Sequence, residues 1–318
     1  MTVYKAIQGF AVQNVAGDPT TNAGQVWYNS VASTFRLSKG PIANVWASSP
    51  SLNTPRQGMT GSGSNTSMLV FGGYPPTTST ESWNNSAWTA APAMNTARES
   101  TGAGGNNTDA VAMGGYTNTA VGTTETFNGS WTTGNPMSTA RFASGGAGFS
   151  SSGSLVFGGD PVNKTNTESF NGSWTNTGNL NTGQSNNAGS GSQDRALSMG
   201  GQGASSVVER YTTGTWTAVQ SLNTGRQDMA AAGDESNGPS IVFGGQDASP
   251  AVTGATELWN GSNAWTTGNS MATARKSLAG SIASPATAAL AAGGSPLTAG
   301  ATVEVWAPGG GTFTLTTT

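Results

Sequence analysis

One phrase is written six times along this chain, and little else about the chain limits its fold so strongly. Trp46, Trp88, Trp131, Trp174, Trp216 and Trp265 are each followed six residues later by Leu52, Met94, Met137, Leu180, Leu222 or Met271. Ten residues after each Trp stands Arg56, Arg98, Arg141, Gln184, Arg226 or Arg275, so one copy departs from arginine. A glycine pair then closes an apolar run, beginning at Gly72, Gly114, Gly158, Gly200, Gly244 and Gly293. Last comes a glutamate two residues before an aromatic, at Glu81, Glu125, Glu168, Glu209, Glu257 and Glu304. Successive Trp residues are 42, 43, 43, 42 and 49 apart, a period shared by propellers and helical solenoids. Composition separates the two. Each copy carries too much Gly, Ser, Thr and Asn for two stable helices, and its apolar runs are short and end in turn residues. The repeat reads as four short strands, in the second copy residues 99–104, 110–115, 124–128 and a strand led by Trp131. An all-β propeller of six four-stranded blades, with essentially no helix, is expected over residues 43–318.

The same composition excludes several functions. Charged residues make up 8% of the chain and hydrophobic ones 35%, with a net charge of −3. No basic run exists, so nucleic acid is not an expected partner, because neutralising phosphates takes clustered Lys and Arg. There is no Cys and no His, which removes disulfides, thiolate sites, the commonest transition-metal ligand and the usual general base. No metal or cofactor is expected. The longest unbroken apolar stretch, residues 288–292, is far too short for a transmembrane helix, and residues 1–17 are broken by Lys5, Gln8, Gln13 and Asn14, so neither membrane insertion nor an export signal is expected.

The order of features within each copy resembles the kelch repeat of β-propellers. The residues that carry the resemblance are the apolar run with its glycine pair, as in Leu155-Val156-Phe157-Gly158-Gly159, the following Glu-x-aromatic, and the Trp. The resemblance implies that the glycine pair ends the second strand of a blade and that the Trp lies on the fourth. It also bears on ring closure. Trp46 heads a fourth-strand pattern with no earlier strands of its own, and the copy from Arg275 to Trp306 lacks one, so residues 45–47 are expected to complete the last blade. The competitor is the tail 312–318, in which case the N-terminal segment could supply part of a seventh blade.

Residues 1–42 lie outside the repeat. Trp27 and Phe35 flank a polar turn, which reads as a β-hairpin, and with Tyr28 and Arg36 they make an aromatic, cationic arm too small to bury a core alone. The hairpin Gly24-Gln25-Val26-Trp27-Tyr28-Asn29-Ser30, combined with repeats of the Asn95-Thr96-Ala97-Arg98 and Asn128-Gly129-Ser130-Trp131 type, resembles virion proteins of tailed bacteriophages, tail-fibre-like ones in particular. That resemblance implies a non-enzymatic structural protein of the virion, assembled in the host cytoplasm, docked to other virion proteins through residues 1–42, and able to bind a host-surface glycan or protein. A homo-oligomer is expected. The alternative is a glycan-binding or glycan-cleaving propeller. Kelch-type propellers with an oxidase copper site need His and Cys-linked chemistry, and this chain has neither residue.

Candidate residues divide into repeated and unrepeated ones. Glu81, Glu125, Glu168, Glu209, Glu257 and Glu304 recur in every copy, whereas an active site needs a unique constellation, so their expected partners are the repeat arginines Arg56, Arg98, Arg141, Arg226 and Arg275 or backbone N–H groups. Gln184 marks a copy in which Glu168 or Glu209 must find another donor. The glycine pairs precede no helix and are not phosphate loops. The Asn-Gly-Ser triplets at 128, 171 and 260 match both a glycosylation sequon and a hairpin turn, and the turn explains them. Small residues dominate the expected inner strands. The loops between second and third strands do differ from copy to copy, and there a binding face would be built: Tyr74 and Pro75, Tyr116 and Asn118, Asp160 and Lys164, Gln202, and Gln246 with Asp247. No catalytic residue is expected; the carboxylates outside the repeat positions, such as Asp160, Asp228 and Asp247, are scattered.

Overall fold

The computed structural model describes residues 13–15, 26–31, 33–38, 44–162, 164–233, 238–307 and 312–315. Two compact units divide them, one spanning Trp46–Ala307, the other combining the segment before it with the segment after it.

The larger unit is the ring of blades. Six four-stranded sheets follow one another in chain order, over residues 60–91, 102–133, 145–177, 188–218, 230–268 and 279–307. The strand pairings resolved residue by residue within these blades are antiparallel. They are numbered blades 1 to 6 here. Blade 6 takes its outer strand, Val45–Ser49, from the other end of the chain, so the strand that carries Trp46 closes the ring. Among the described residues the one helical element is a 3-10 turn, Leu297–Ala299. In blade 2 the strands are Gly102–Gly105, Ala110–Met113, Thr124–Phe127 and Trp131–Thr133. The first begins three residues later than the sequence suggests, because Ser100 turns into the left-handed region with φ 53.

The inner strands explain their own composition. They read GAGG in blade 2, AGSG in blade 4 and AAAG in blade 5, and all these residues are buried. Around the axis neighbouring inner strands run almost backbone to backbone. A Cβ placed on Gly146 would sit 2.2 Å from the Ala103 carbonyl oxygen, and one on Gly189 would sit 2.2 Å from that of Gly146. Inner strands can therefore approach this closely only because Gly146 and Gly189 carry no side chain, while the equivalent positions in blades 2 and 5 carry nothing larger than Ala103 and Ala231.

The core lies between blades rather than within them. Buried apolar residues fall into six clusters, one for each pair of neighbouring blades. The interfaces alternate. Phe71, Phe157 and Phe243 end the second strands of blades 1, 3 and 5, and each meets the outer-strand Trp of the next blade edge-on: Trp131 at 4.8 Å, Trp216 at 4.9 Å and Trp46 at 4.8 Å between ring centres. Each of these three indoles also donates to a threonine hydroxyl of the preceding blade: Trp131 to Thr80 at 3.1 Å, Trp216 to Thr167 at 2.9 Å, Trp46 to Thr256 at 2.9 Å. At the other three interfaces the Phe position is taken by Met113, Met199 and Ala292. There the indoles of Trp88, Trp174 and Trp265 donate to the backbone carbonyls of Pro50, Asn135 and Gln220 instead. The ring is built from three pairs of blades, with an aromatic joint inside each pair.

The smaller unit contains one mixed sheet in the strand order Gln13–Val15, Val26–Asn29, Thr34–Ser38, Thr312–Leu315. Val26–Asn29 and Thr34–Ser38 form the antiparallel hairpin, with Trp27 opposite Arg36 and Tyr28 opposite Phe35. Gln13–Val15 runs parallel to Val26–Asn29. The tail strand Thr312–Leu315 pairs with Thr34–Ser38, so it belongs to this sheet and neither closes the ring nor adds a seventh blade.

Candidate functional site

The repeated acids are spent on structure. In blade 2, Arg98 donates from one guanidinium nitrogen to Glu125 at 2.8 Å and from the other to the Gly114 and Thr123 carbonyls at 2.8 and 2.6 Å. Glu125 also accepts the N–H groups of Asn95 and Thr96 at 2.7 and 3.2 Å. The pair thus fastens the segment entering the blade to its second and third strands. The same ion pair joins Arg56 to Glu81 (2.8 Å), Arg141 to Glu168 (2.8 Å), Arg226 to Glu257 (2.9 Å) and Arg275 to Glu304 (3.0 Å), with every partner almost fully buried. Burial pushes each of these guanidinium pKa values down, and the charge and hydrogen bond of the glutamate oppose that shift. Each charge tolerates burial because it is paired and its guanidinium also donates to backbone carbonyls. The Nε of Arg141, Arg226 and Arg275 bonds a further carbonyl, whereas the buried Nε of Arg56 and Arg98 has no partner.

Blade 4 is the exception that Gln184 marks, and Glu209 is the acid without an arginine. It accepts three other bonds, from the backbone and side-chain amides of Asn181 at 2.8 and 2.7 Å and from the Thr182 N–H at 2.8 Å. Gln184 is buried and accepts the Ser198 hydroxyl at 2.8 Å, and Ser198 in turn accepts the Asn187 amide at 2.9 Å. The Gln184 Nε2 and Asn187 Oδ1 atoms are left without partners.

What differs among blades gathers at one mouth of the central channel. Two residues beyond each repeat Arg or Gln lie Gly58, Ser100, Ala143, Asn186, Asp228 and Ser277, all left-handed, with φ between 50 and 63. Their backbones bond head to tail in a closed circle. Ser277 donates to Asp228 (2.8 Å), Asp228 to Asn186 (3.0 Å), Asn186 to Ala143 (2.7 Å), Ala143 to Ser100 (2.7 Å), Ser100 to Gly58 (2.8 Å) and Gly58 to Ser277 (2.8 Å). Below this belt lies a channel of about 140 Å³ walled by the small inner-strand residues. Outside the belt a second ring is formed where the residue after each repeat Arg or Gln meets the residue after the glycine pair. Gln57 bridges Tyr74, Glu99 bridges Tyr116, Phe142 bridges Asp160, Gln227 bridges Gln246 and Lys276 bridges Ser295. In blade 4 the Gln202 N–H reaches the Ser185 carbonyl at 2.7 Å.

Of the loop residues singled out in the sequence, Tyr74, Tyr116, Asp160, Gln202 and Gln246 therefore converge on this mouth. The others do not bond into that ring. Pro75 follows Tyr74 through a cis peptide, and Asn118 stands at the loop tip with φ 124. The Lys164 N–H returns to the Gly159 carbonyl at 2.8 Å. Asp247 caps its own loop, accepting the Ser249 N–H and hydroxyl and the Ala251 N–H at 2.9, 2.6 and 3.2 Å, and the Ser249 bonds hold its carboxyl below the usual range. Of the arm residues, Trp27, Phe35 and Arg36 are placed by backbone register on the hairpin, together with Tyr28.

Sequence reasoning missed Gln57, Glu99 and Lys276, which arrive at the mouth from the other side, and named Asp228, which arrives with them, only as one of several scattered carboxylates. Their fixed offset of one or two from the repeat Arg was the available signal. Glu99 and Asp228 are both half-buried, and burial pushes both carboxyls up; for Asp228 the charge of Lys276 and a Gln227 hydrogen bond oppose it. Lys276 donates to Gln246 at 2.6 Å. No cluster of three or more acidic residues able to hold a metal occurs among the described residues. Compared with models of known protein families and with curated proteins, the sequence matches none.

Proposed function

We propose that this chain is a non-enzymatic binding propeller, a structural component of a tailed-bacteriophage particle with kelch-like blades, whose channel mouth engages the host surface. The observation that carries the binding part is the division of labour among polar groups. Five of the six repeated acids are locked in buried ion pairs, while the unrepeated aromatics, amides and acids are collected on one face. Such a face, varied on a rigid regular frame, is where recognition is built. The assignment to a virion rests on the resemblance of the hairpin and its neighbouring repeats to tail-fibre-like proteins. In this reading residues 1–42 dock to other virion proteins or to further copies of the chain, aromatic and arginine side chains being common interface anchors.

Mass spectrometry of purified particles tests the virion assignment, with the chain expected in stoichiometric amounts. Pull-down of the intact chain on host-surface polysaccharides tests the binding role, with retention and no release of shorter products expected. A second reading, a glycan-cleaving propeller, is favoured by one observation: Glu99 and Asp228 are two half-buried carboxyls at the same mouth, both pushed up by burial. Turnover of a polysaccharide that disappears in Asp228→Asn would establish that reading over ours.

A further inference from the structure

The mouth is not uniform, and one sector of it is open. In the sector of blades 4 to 6 the polar side chains satisfy one another: the Ser185 hydroxyl donates to Gln202 at 3.1 Å, Gln227 accepts the Gly203 N–H at 2.9 Å, and Lys276 holds Gln246. Between blades 2 and 3, Tyr116 and Phe142 pack ring against ring at 5.0 Å. In the remaining sector, where blade 1 begins, the side chains of Gln57, Tyr74 and Glu99 form no hydrogen bond or ring contact among the described residues. Tyr74 is 50% exposed, the largest exposure of any aromatic in the ring.

The floor of this sector is Gly58, the one member of the belt with no side chain. A Cβ built there would lie 3.3 Å from the Glu99 carboxylate, 3.7 Å from the Tyr74 Cβ and 3.8 Å from the Ser100 hydroxyl. The missing side chain opens a groove of about 500 Å³ that runs from Tyr74 and Glu99 across to Lys276 and Ser295. That volume lies inside the ~300–1,000 Å³ typical of small-ligand sites, whereas the channel falls below it.

We propose that this groove is a monosaccharide subsite for a neutral hexopyranose, the terminal or side-branch sugar of a surface glycan. The proposal rests on the binding role given above. The Tyr74 ring offers an apolar platform for the C–H face of a pyranose, as aromatic faces do for amphipathic ligands. Glu99 is an acceptor-only carboxylate, half-buried and without a donor, and two adjacent sugar hydroxyls can supply both of its oxygens. Gln57 adds a donor and an acceptor at the same rim. An acidic sugar is disfavoured, because Glu99 would repel its carboxylate and Lys276 already has Gln246 as acceptor and Asp228 as counter-charge.

Saturation-transfer NMR on the intact chain, with methyl glucoside, galactoside and mannoside and with N-acetylneuraminic acid as probes, tests this. At least one neutral pyranoside is expected to bind and the acidic sugar to give no signal. Three variants should each weaken that binding at least about tenfold, roughly 1.4 kcal/mol: Tyr74→Ala, Glu99→Gln and Gly58→Asn. The last fills the groove with the residue that blade 4 carries at the same left-handed position, so it is expected to fold, as a thermal melt would show. Tyr74→Phe, which keeps the platform, should retain binding. Binding of the acidic sugar instead, or neutral-sugar binding indifferent to all three variants, overturns the groove assignment. Polysaccharide capture that persists in the variants leaves the binding role standing and removes only this subsite, whereas absence of all polysaccharide capture removes the binding role itself.

Discussion

At the scale of single residues, a buried arginine decides whether a blade entrance holds together. Arg98 satisfies a carboxylate and two carbonyls at once, so Arg98→Ala leaves Glu125 charged and buried with only backbone donors. A loss of about 3–5 kcal/mol in unfolding free energy is expected by denaturant titration, the usual cost of removing one partner of a buried pair. Gln184→Arg is the converse experiment. Five sister blades show that an arginine fits at this offset, and Glu209 lacks one, so a gain of about 1.5–3 kcal/mol is expected, the worth of a hydrogen bond to a charged group. Asp228 yields a pH prediction. Its pKa is raised in the fold, so its charged form costs stability above that raised value, and the cost is relieved as pH falls through it. Asp228→Asn, which keeps a residue suited to the left-handed region, should therefore melt higher than wild type at neutral pH, with the difference shrinking towards acid. A difference that grows on acidification would contradict this sign.

At the scale of elements, the ring depends on one strand that is remote in sequence. Val45–Ser49 completes blade 6, and its Trp46 packs on Phe243 and Trp306 at 4.8 and 5.4 Å between ring centres and bonds Thr256. Removing residues 1–40 spares this strand, and a cooperative melt near that of the full chain is expected. Removing residues 1–50 deletes it, exposes the edge of Val303–Ala307 and opens the aromatic joint between blades 5 and 6, so a large drop in melting temperature or aggregation is expected. A harmless longer deletion would mean that the ring closes in some other way. The pairing of Thr312–Leu315 with Thr34–Ser38 adds a corollary: the shorter deletion removes that strand's partner, so trimming residues 308–318 as well should not lower the melt further.

At the scale of the whole molecule, stability is spread over six interfaces of unequal size. The smallest apolar cluster lies between blades 2 and 3, with Val111, Met113, Met137 and Val156 buried and Trp174 only partly so. It also lacks the Phe-to-Trp joint found within each blade pair. Local opening is drawn from such regions of low apolar contact. Amide exchange should accordingly be fastest, among strands of the ring, along Trp174–Thr177, and Trp174 should be the ring indole most readily quenched by acrylamide. Uniform protection around the ring would contradict this.

The six blades, their four-strand content and the exclusion of histidine and cysteine chemistry follow from the sequence alone, because the repeat sets element type and number locally. The period of small residues and the Trp, Gly-pair and Glu positions need no tertiary information to be counted. Of the nine loop residues singled out, the five that converge on the mouth were legible for the same reason, as they sit at one offset from the glycine pair. The closing strand was legible as a preference: the Trp46 pattern pointed to residues 45–47, which do complete blade 6, and only the pairing partners ruled out the tail, whose strand pattern is also good. The alternation of interfaces was not legible, although Phe71, Met113, Phe157, Met199, Phe243 and Ala292 spell it out, since one residue in a repeat has no meaning until the neighbouring blade presents a Trp. Glu99, Lys276 and Gly58 are the clearest case. They lie far apart in the chain and on different blades, and only closing the ring brings a carboxylate, an ammonium and an absent side chain to the rim of one groove.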